Sequence, residues 1–209
     1  MHATLLSTST GARSRVFRWR VVDIVVASVV AVASGVVFWV WGIVQNPISE
    51  PVGALLPGFQ GILNGPWLFA GVLVALIVRK PGAALFGEVV AATVSALIGT
   101  QWGFATLLSG VVQGLGAEIV FALFLYANWR LVPALLAGAG AGIAESILDL
   151  LYWYPGSKPE FAITYAITTT ISGIVVAGLG SWLLVRALAK TGALSRFAAG
   201  RETRTASRA

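Results

Sequence analysis

The feature that most constrains this chain is a succession of long apolar stretches with almost no charge inside them. A helix that spans a membrane needs about 20 mostly apolar residues. Six stretches meet that need, alone or with their flanks: residues 21–44, 66–78, 82–99, 104–127, 131–151 and 161–189. The second can begin earlier, within the Gly- and Pro-rich run before it. Only 11% of the 209 residues are charged and 57% are apolar, whereas soluble domains carry roughly 25% charged residues. The chain cannot cover itself with a charged surface, so lipid is its solvent. The expected fold is an all-α integral membrane protein, a six-transmembrane-helix bundle in the cell membrane.

The 14 basic residues and net charge of +6 raise the question of nucleic acid. With six spans, both tails and the turns at Arg79-Lys80 and Asn128-Trp129-Arg130 share one side. Thirteen of the 14 basic residues then lie on that side, and only Lys158 lies on the other. Basic residues favour the cytoplasmic face, so both termini are assigned there. Topology accounts for the charge, and no nucleic-acid partner is expected. Residues 1–11 lack an apolar core of signal-peptide length, so the first helix reads as retained. The domain reading is a basic cytoplasmic tail at 1–20, a membrane domain at 21–189 and a basic, disordered tail at 190–209.

There is no cysteine and one histidine, His2. That removes thiolate and histidine metal sites and histidine-based catalysis. No GxxxxGK[ST] loop is present, so any ATP hydrolysis belongs to other chains. No cofactor, no metal and no enzymatic activity are expected.

Polar groups inside apolar helices are the informative exceptions. A carboxylate at the centre of a membrane helix costs about 2.5–3.5 kcal/mol on insertion scales. Four lie in the spans after the first: Glu88, Glu118, Glu145 and Asp149. Glu145 and Asp149 are four apart and share a helix face near its outer end. Glu118 lies roughly 20 Å along an inward-running helix, below Gln113 and the polar, aromatic turn that holds Gln101 and Trp102. Five residues separate Gln113 from Glu118, about 500° of rotation at about 100° each. The two side chains therefore stand some 140° apart and need not share a cavity.

The outer connections are aromatic and polar. Residues 45–65 read as a Pro- and Gly-rich loop that folds back as a lid and holds Asn64. Trp39 and Trp67 flank it, and Tyr152 and Trp153 stand at the other outer turn. Acids beside tryptophans, with no intramembrane Lys or Arg to pair them, suit a cation or an amino-heteroaromatic ring. Small residues recur every four positions at Ala27, Ala31 and Gly35, and at Gly173, Ala177 and Ser181. Such stripes allow close helix packing, inside one bundle or against another membrane protein.

Two segments, RKPGAALFGE at 79–88 and WGFATLLSGVVQGLGAE at 102–118, resemble the YkoE family of S components of energy-coupling-factor (ECF) vitamin transporters. The resemblance spans about residues 21–189. It implies a six-helix bundle that binds thiamin or its hydroxymethylpyrimidine precursor outside the cell. It also implies a transmembrane T component and two cytoplasmic ATPases as partners, with Ala27, Ala31 and Gly35 on the docking face for the T component. The expected solute site is Glu118, Gln113, Trp102 and Gln101, with Glu145 and Asp149 at the cationic end and Trp153, Tyr152, Trp39, Trp67 and Asn64 around them. The competing reading is a stand-alone ion- or proton-coupled carrier of a small cationic or heteroaromatic solute, with Glu88 and Glu118 as relays.

Overall fold

A computed structural model describes residues 17–200. The rest of the two basic tails lies outside the described residues. All regular structure described is helical. We label the helices α1 (Val21–Leu55), α2 (Phe59–Val78), α3 (Ala83–Ile98), α4 (Ala105–Leu123), α5 (Leu131–Tyr152) and α6 (Pro159–Lys190). Five are long and apolar enough to cross a membrane, and α3 is a shorter apolar helix of 16 residues.

Helix α1 begins with a polar clamp. The Arg20 N–H donates to Asp23 Oδ2 at 2.9 Å, and the Arg20 guanidinium meets Asp23 Oδ1 at 2.7 Å. An acid in the first turn also complements the helix dipole, so the one carboxylate of this apolar run sits where it is tolerated. From there Ala27, Ala31 and Gly35 are all buried. A Cβ on Gly35 would lie 2.5 Å from the Ala91 carbonyl oxygen of α3. The stripe expected to dock a T component is thus buried in the isolated chain, with Gly35 packed against α3. The second stripe is internal too. Gly173, Ala177 and Ser181 are buried, and Ser181 Oγ donates to the Phe69 carbonyl.

The lid loop expected at 45–65 is replaced by helix. Helix α1 continues through Pro47 and Pro51 to Leu55, 35 residues in all. At 1.5 Å per residue that is about 52 Å, well beyond a hydrocarbon core of about 30 Å. Proline removes helix hydrogen bonds, and both prolines sit on the exposed side, where water can reach the freed carbonyls. Helix α2 then opens with a 3-10 stretch, Phe59–Trp67. Gly61 and Gly65 let it press on α6: the Gly65 N–H donates to Ser172 Oγ at 2.9 Å. Every residue of α2 from Ala70 to Val78 is buried. A helix apolar on all sides belongs at the centre, and α2 is the axis of the bundle.

Helix α6 changes to π geometry over Gly173–Gly180. There it meets α5 backbone to backbone: a Cβ on Gly138 would fall 2.2 Å from the Gly173 carbonyl oxygen. Gly138→Ala must therefore push the two helices apart. We expect a loss of about 1–3 kcal/mol, read as a lower unfolding midpoint in detergent; an unchanged midpoint would contradict this packing. After α6 the chain turns back over residues 191–200, with Leu194, Phe197 and Ala199 buried.

Short turns reverse the chain between helices. The turns at 56–58, 99–104 and 153–158 gather at one end of the bundle, and those at 79–82 and 124–130 at the other.

Candidate functional site

A cavity of about 350 Å³ opens at the end formed by the turns at 56–58, 99–104 and 153–158. Its base is polar. Glu145 of α5 lies beside Gln113 and Ser109 of α4. Glu145 is 6% exposed, and its Oε2 has no hydrogen-bond partner among the described residues. One turn nearer the mouth, about 6 Å along α5, Asp149 Oδ2 accepts from Tyr165 Oη at 2.6 Å. Asn64 Nδ2 donates to Tyr165 Oη at 2.8 Å and reaches Thr169 Oγ1 at 3.3 Å. One carboxylate is thus held by a network and the other faces the cavity with an oxygen to spare.

The walls are aromatic. Trp67 and Trp102 meet edge to face, ring centres 5.0 Å apart at 85°. Trp67 is fixed by donating Nε1–H to the Phe38 carbonyl at 3.1 Å. Trp41 braces it from behind, its own Nε1–H on the Leu63 carbonyl at 2.9 Å. Trp153, Tyr154 and Tyr165 line the opposite side. At the mouth, Asn46 and Gln101 form a reciprocal amide pair between α1 and the α3–α4 turn, with Gln101 Nε2 donating to Asn46 Oδ1 at 2.7 Å. Gln45 Nε2 donates to the same oxygen at 2.9 Å. The described lining holds two carboxylates and no Lys, Arg or His. Such a cavity favours a ligand that brings positive charge or N–H donors, and flat rings can lie against its walls.

Of the eleven side chains expected from sequence, eight line the cavity: Gln113, Trp102, Gln101, Glu145, Asp149, Trp153, Trp67 and Asn64. Three do not. Glu118 points to the other end of the bundle. There it accepts from the backbone N–H groups of Gly82 at 2.6 Å and Ala84 at 2.9 Å, and from Tyr126 Oη at 2.9 Å. It caps α3, whose N-cap residue, Gly82, carries no side chain to do so. The 140° offset from Gln113 is the reason: with Gln113 aimed at the cavity, Glu118 cannot be. Burial pushes the Tyr126 phenol up to about 12, helped by the hydrogen bond to Glu118 and by that carboxylate's charge. Trp39 is one residue, or about 100°, past Phe38, which faces inward. Tyr152 is 56% exposed and meets Trp153 edge to face; Trp153, eight residues after Glu145, lines the cavity.

Glu88 lies outside the cavity, fully buried, with Oε1 accepting from the Gly71 N–H at 2.9 Å. Sequence reasoning missed Tyr165, Gln45, Asn46 and Gln60. The signal for Tyr165 was present: Tyr165, Thr168, Thr169 and Ser172 form a polar stripe at helical spacing inside an apolar span.

Residues 22–144 match the family described as "ABC-type cobalt transport system, permease component". YkoE of Bacillus subtilis (strain 168), an HMP/thiamine permease by name, is 35% identical over 185 residues, 88% of this chain and 92% of the relative. The crystal structure of an S component of an ECF transporter superposes with a TM-score of 0.84 at 32% identity, covering 91% of this chain and 96% of that one. Identity at this level across nearly the whole chain, with the helices in matching places, makes this multi-pass cell-membrane protein a member of the YkoE family of ECF-transporter S components.

Proposed function

We propose that the chain captures thiamin, or the hydroxymethylpyrimidine part of it, from outside the cell for an ECF-type importer. The cavity carries this reading: two buried carboxylates and an aromatic wall, with no cationic side chain in the described lining. An aminopyrimidine presents N–H donors to Glu145 and Gln113 and a flat ring to Trp67 and Trp102. The thiazolium of thiamin brings the positive charge that Asp149, Tyr154 and Trp153 accommodate.

In this reading the cavity end faces outward, six helices cross the membrane, and both termini are cytoplasmic. The described basic residues support it, since Arg18, Arg20, Arg79, Lys80, Arg130, Arg186, Lys190 and Arg196 belong to the opposite end and only Lys158 to the mouth. The positive-inside rule then sets the orientation. Transfer inward is driven by a T component and two ATPases. The relay needed by a stand-alone carrier loses Glu118, whose carboxylate is committed to the backbone of α3.

Calorimetry on the purified chain tests the proposal. Saturable binding of thiamin or hydroxymethylpyrimidine by the chain alone supports it, and absence of binding to either rejects it. Uptake that persists in cells without T component or ATPases would instead establish the stand-alone carrier.

A further inference from the structure

The opposite end of the bundle holds a second concavity, of about 440 Å³, between the ends of α2, α5 and α6. Three arginines line it, each from a different helix end: Arg79 after α2, Arg130 before α5 and Arg186 near the end of α6. Two tryptophans complete it. The Arg186 guanidinium lies 4.5 Å from the centre of the Trp182 ring. Trp129 is fixed by its Nε1–H bond to the Tyr126 carbonyl at 3.0 Å and by stacking on Phe121. No Asp or Glu is among its described lining residues.

We propose that this groove binds the phosphate headgroup of an anionic membrane phospholipid. The proposal is independent of which solute the other cavity takes. Guanidinium groups match phosphate oxygens in a planar, two-pronged geometry. Basic pockets between transmembrane helices suit anionic headgroups. The first turn of α5, whose N-cap residue Arg130 makes no side-chain cap, adds its dipole at the same place. Arg79 occupies the left-handed region at φ 57° and ψ 48°, where glycine is the usual helix terminator. Its Nε–H donates to the Leu76 carbonyl in the last turn of α2 at 3.3 Å, which holds the guanidinium at the rim of the groove.

A lipid, rather than free phosphate, fits the exposed apolar side chains on the helices that carry the groove. Val132 and Leu136 of α5 and Leu183 of α6 are 60%, 45% and 52% exposed. Acyl chains cover such side chains, and a soluble phosphate does not. Trp129 and Trp182 take the interfacial level between them, where tryptophan is enriched.

The test is native mass spectrometry of the full chain in detergent, titrated with phosphatidylglycerol, phosphatidylcholine or glycerol 3-phosphate. Phosphatidylglycerol adducts should form preferentially. One cationic side chain near an anionic headgroup contributes a factor of about five. Arg79→Gly, Arg130→Gln and Arg186→Gln should each weaken retention about fivefold, and Arg130→Gln with Arg186→Gln about 25-fold. Lys158→Gln, at the other end, should have no effect. Arg79→Gly relieves the left-handed strain but also removes the bond to the Leu76 carbonyl, so loss of lipid at an unchanged unfolding midpoint in Arg130→Gln and Arg186→Gln is what separates headgroup binding from damage to the fold. Equal retention of phosphatidylcholine, unchanged retention in the arginine variants, or displacement of the lipid by equimolar glycerol 3-phosphate would each overturn the proposal. Arginine variants that keep the lipid but fail to co-purify with a T component would also overturn it, in favour of a protein contact.

Discussion

Glu145→Gln should bind thiamin tens to thousands of times more weakly than the parent chain. The range follows from about 2–5 kcal/mol for removing one member of a desolvated, hydrogen-bonded charge pair. The change is isosteric, so the cavity keeps its shape and the loss reports on charge and acceptor capacity. The same substitution should raise the unfolding midpoint of the ligand-free chain, because a buried carboxylate with an unpaired oxygen is costly without a partner. Lower affinity with higher apo stability is the signature of a group held for a ligand. Asp149→Asn should cost less, since Tyr165 and Asn64 already donate to Asp149. It should also weaken thiamin more than hydroxymethylpyrimidine, because only thiamin carries a permanent cation. Equal thiamin affinity for the Glu145→Gln and parent chains would remove Glu145 from the site.

Glu118→Ala should unfold the chain more readily and leave solute affinity untouched. The carboxylate takes two short backbone bonds at the start of α3, a longer one from Leu85 and the Tyr126 hydroxyl. Removing it takes away the acceptor of all these donors at once. A bond to a charged group contributes about 1.5–3 kcal/mol, so a loss of about 3–5 kcal/mol is expected for this cluster. Glu118→Gln keeps one acceptor oxygen and should fall between. Thermal unfolding in detergent, paired with calorimetry on the folded protein, separates the two carboxylates: Glu145 governs affinity and Glu118 governs stability. A Glu118→Ala chain with normal stability and lost binding would return Glu118 to the cavity.

The helical membrane architecture was legible because apolar length is a coarse quantity that survives errors of a few residues at each end. Glu145, Asp149 and Trp153 were legible for a similar reason: positions four and eight apart on one helix share a face whatever surrounds it. Glu118 shows the limit. Its partners are N–H groups more than thirty residues earlier, and sequence does not mark a backbone as an acid's partner. Rotation did separate Glu118 from Gln113, but not which of them faced the cavity. The stripe at Ala27, Ala31 and Gly35 shows a related limit, since small residues announce a close approach without naming the approaching helix. Pro47 and Pro51 misled through a rule that holds in dry interiors. Near the end of a helix that rises out of the membrane, water takes over the carbonyls that proline leaves free.

The unequal lengths of α1 and α3 have a consequence for the surrounding bilayer. At 16 residues α3 reaches about 24 Å, short of a hydrocarbon layer of about 30 Å. Leu97 and Ile98, at its last turn, are 82% and 45% exposed. Lipids along α3 must therefore dip to meet it, while those along α1 find apolar side chains to spare. A bilayer that matches both helices would be thinnest beside the turn that carries Gln101 and Trp102. Such thinning would bring water down to the Asn46–Gln101 amide pair, so a solute would meet that pair before leaving the aqueous phase.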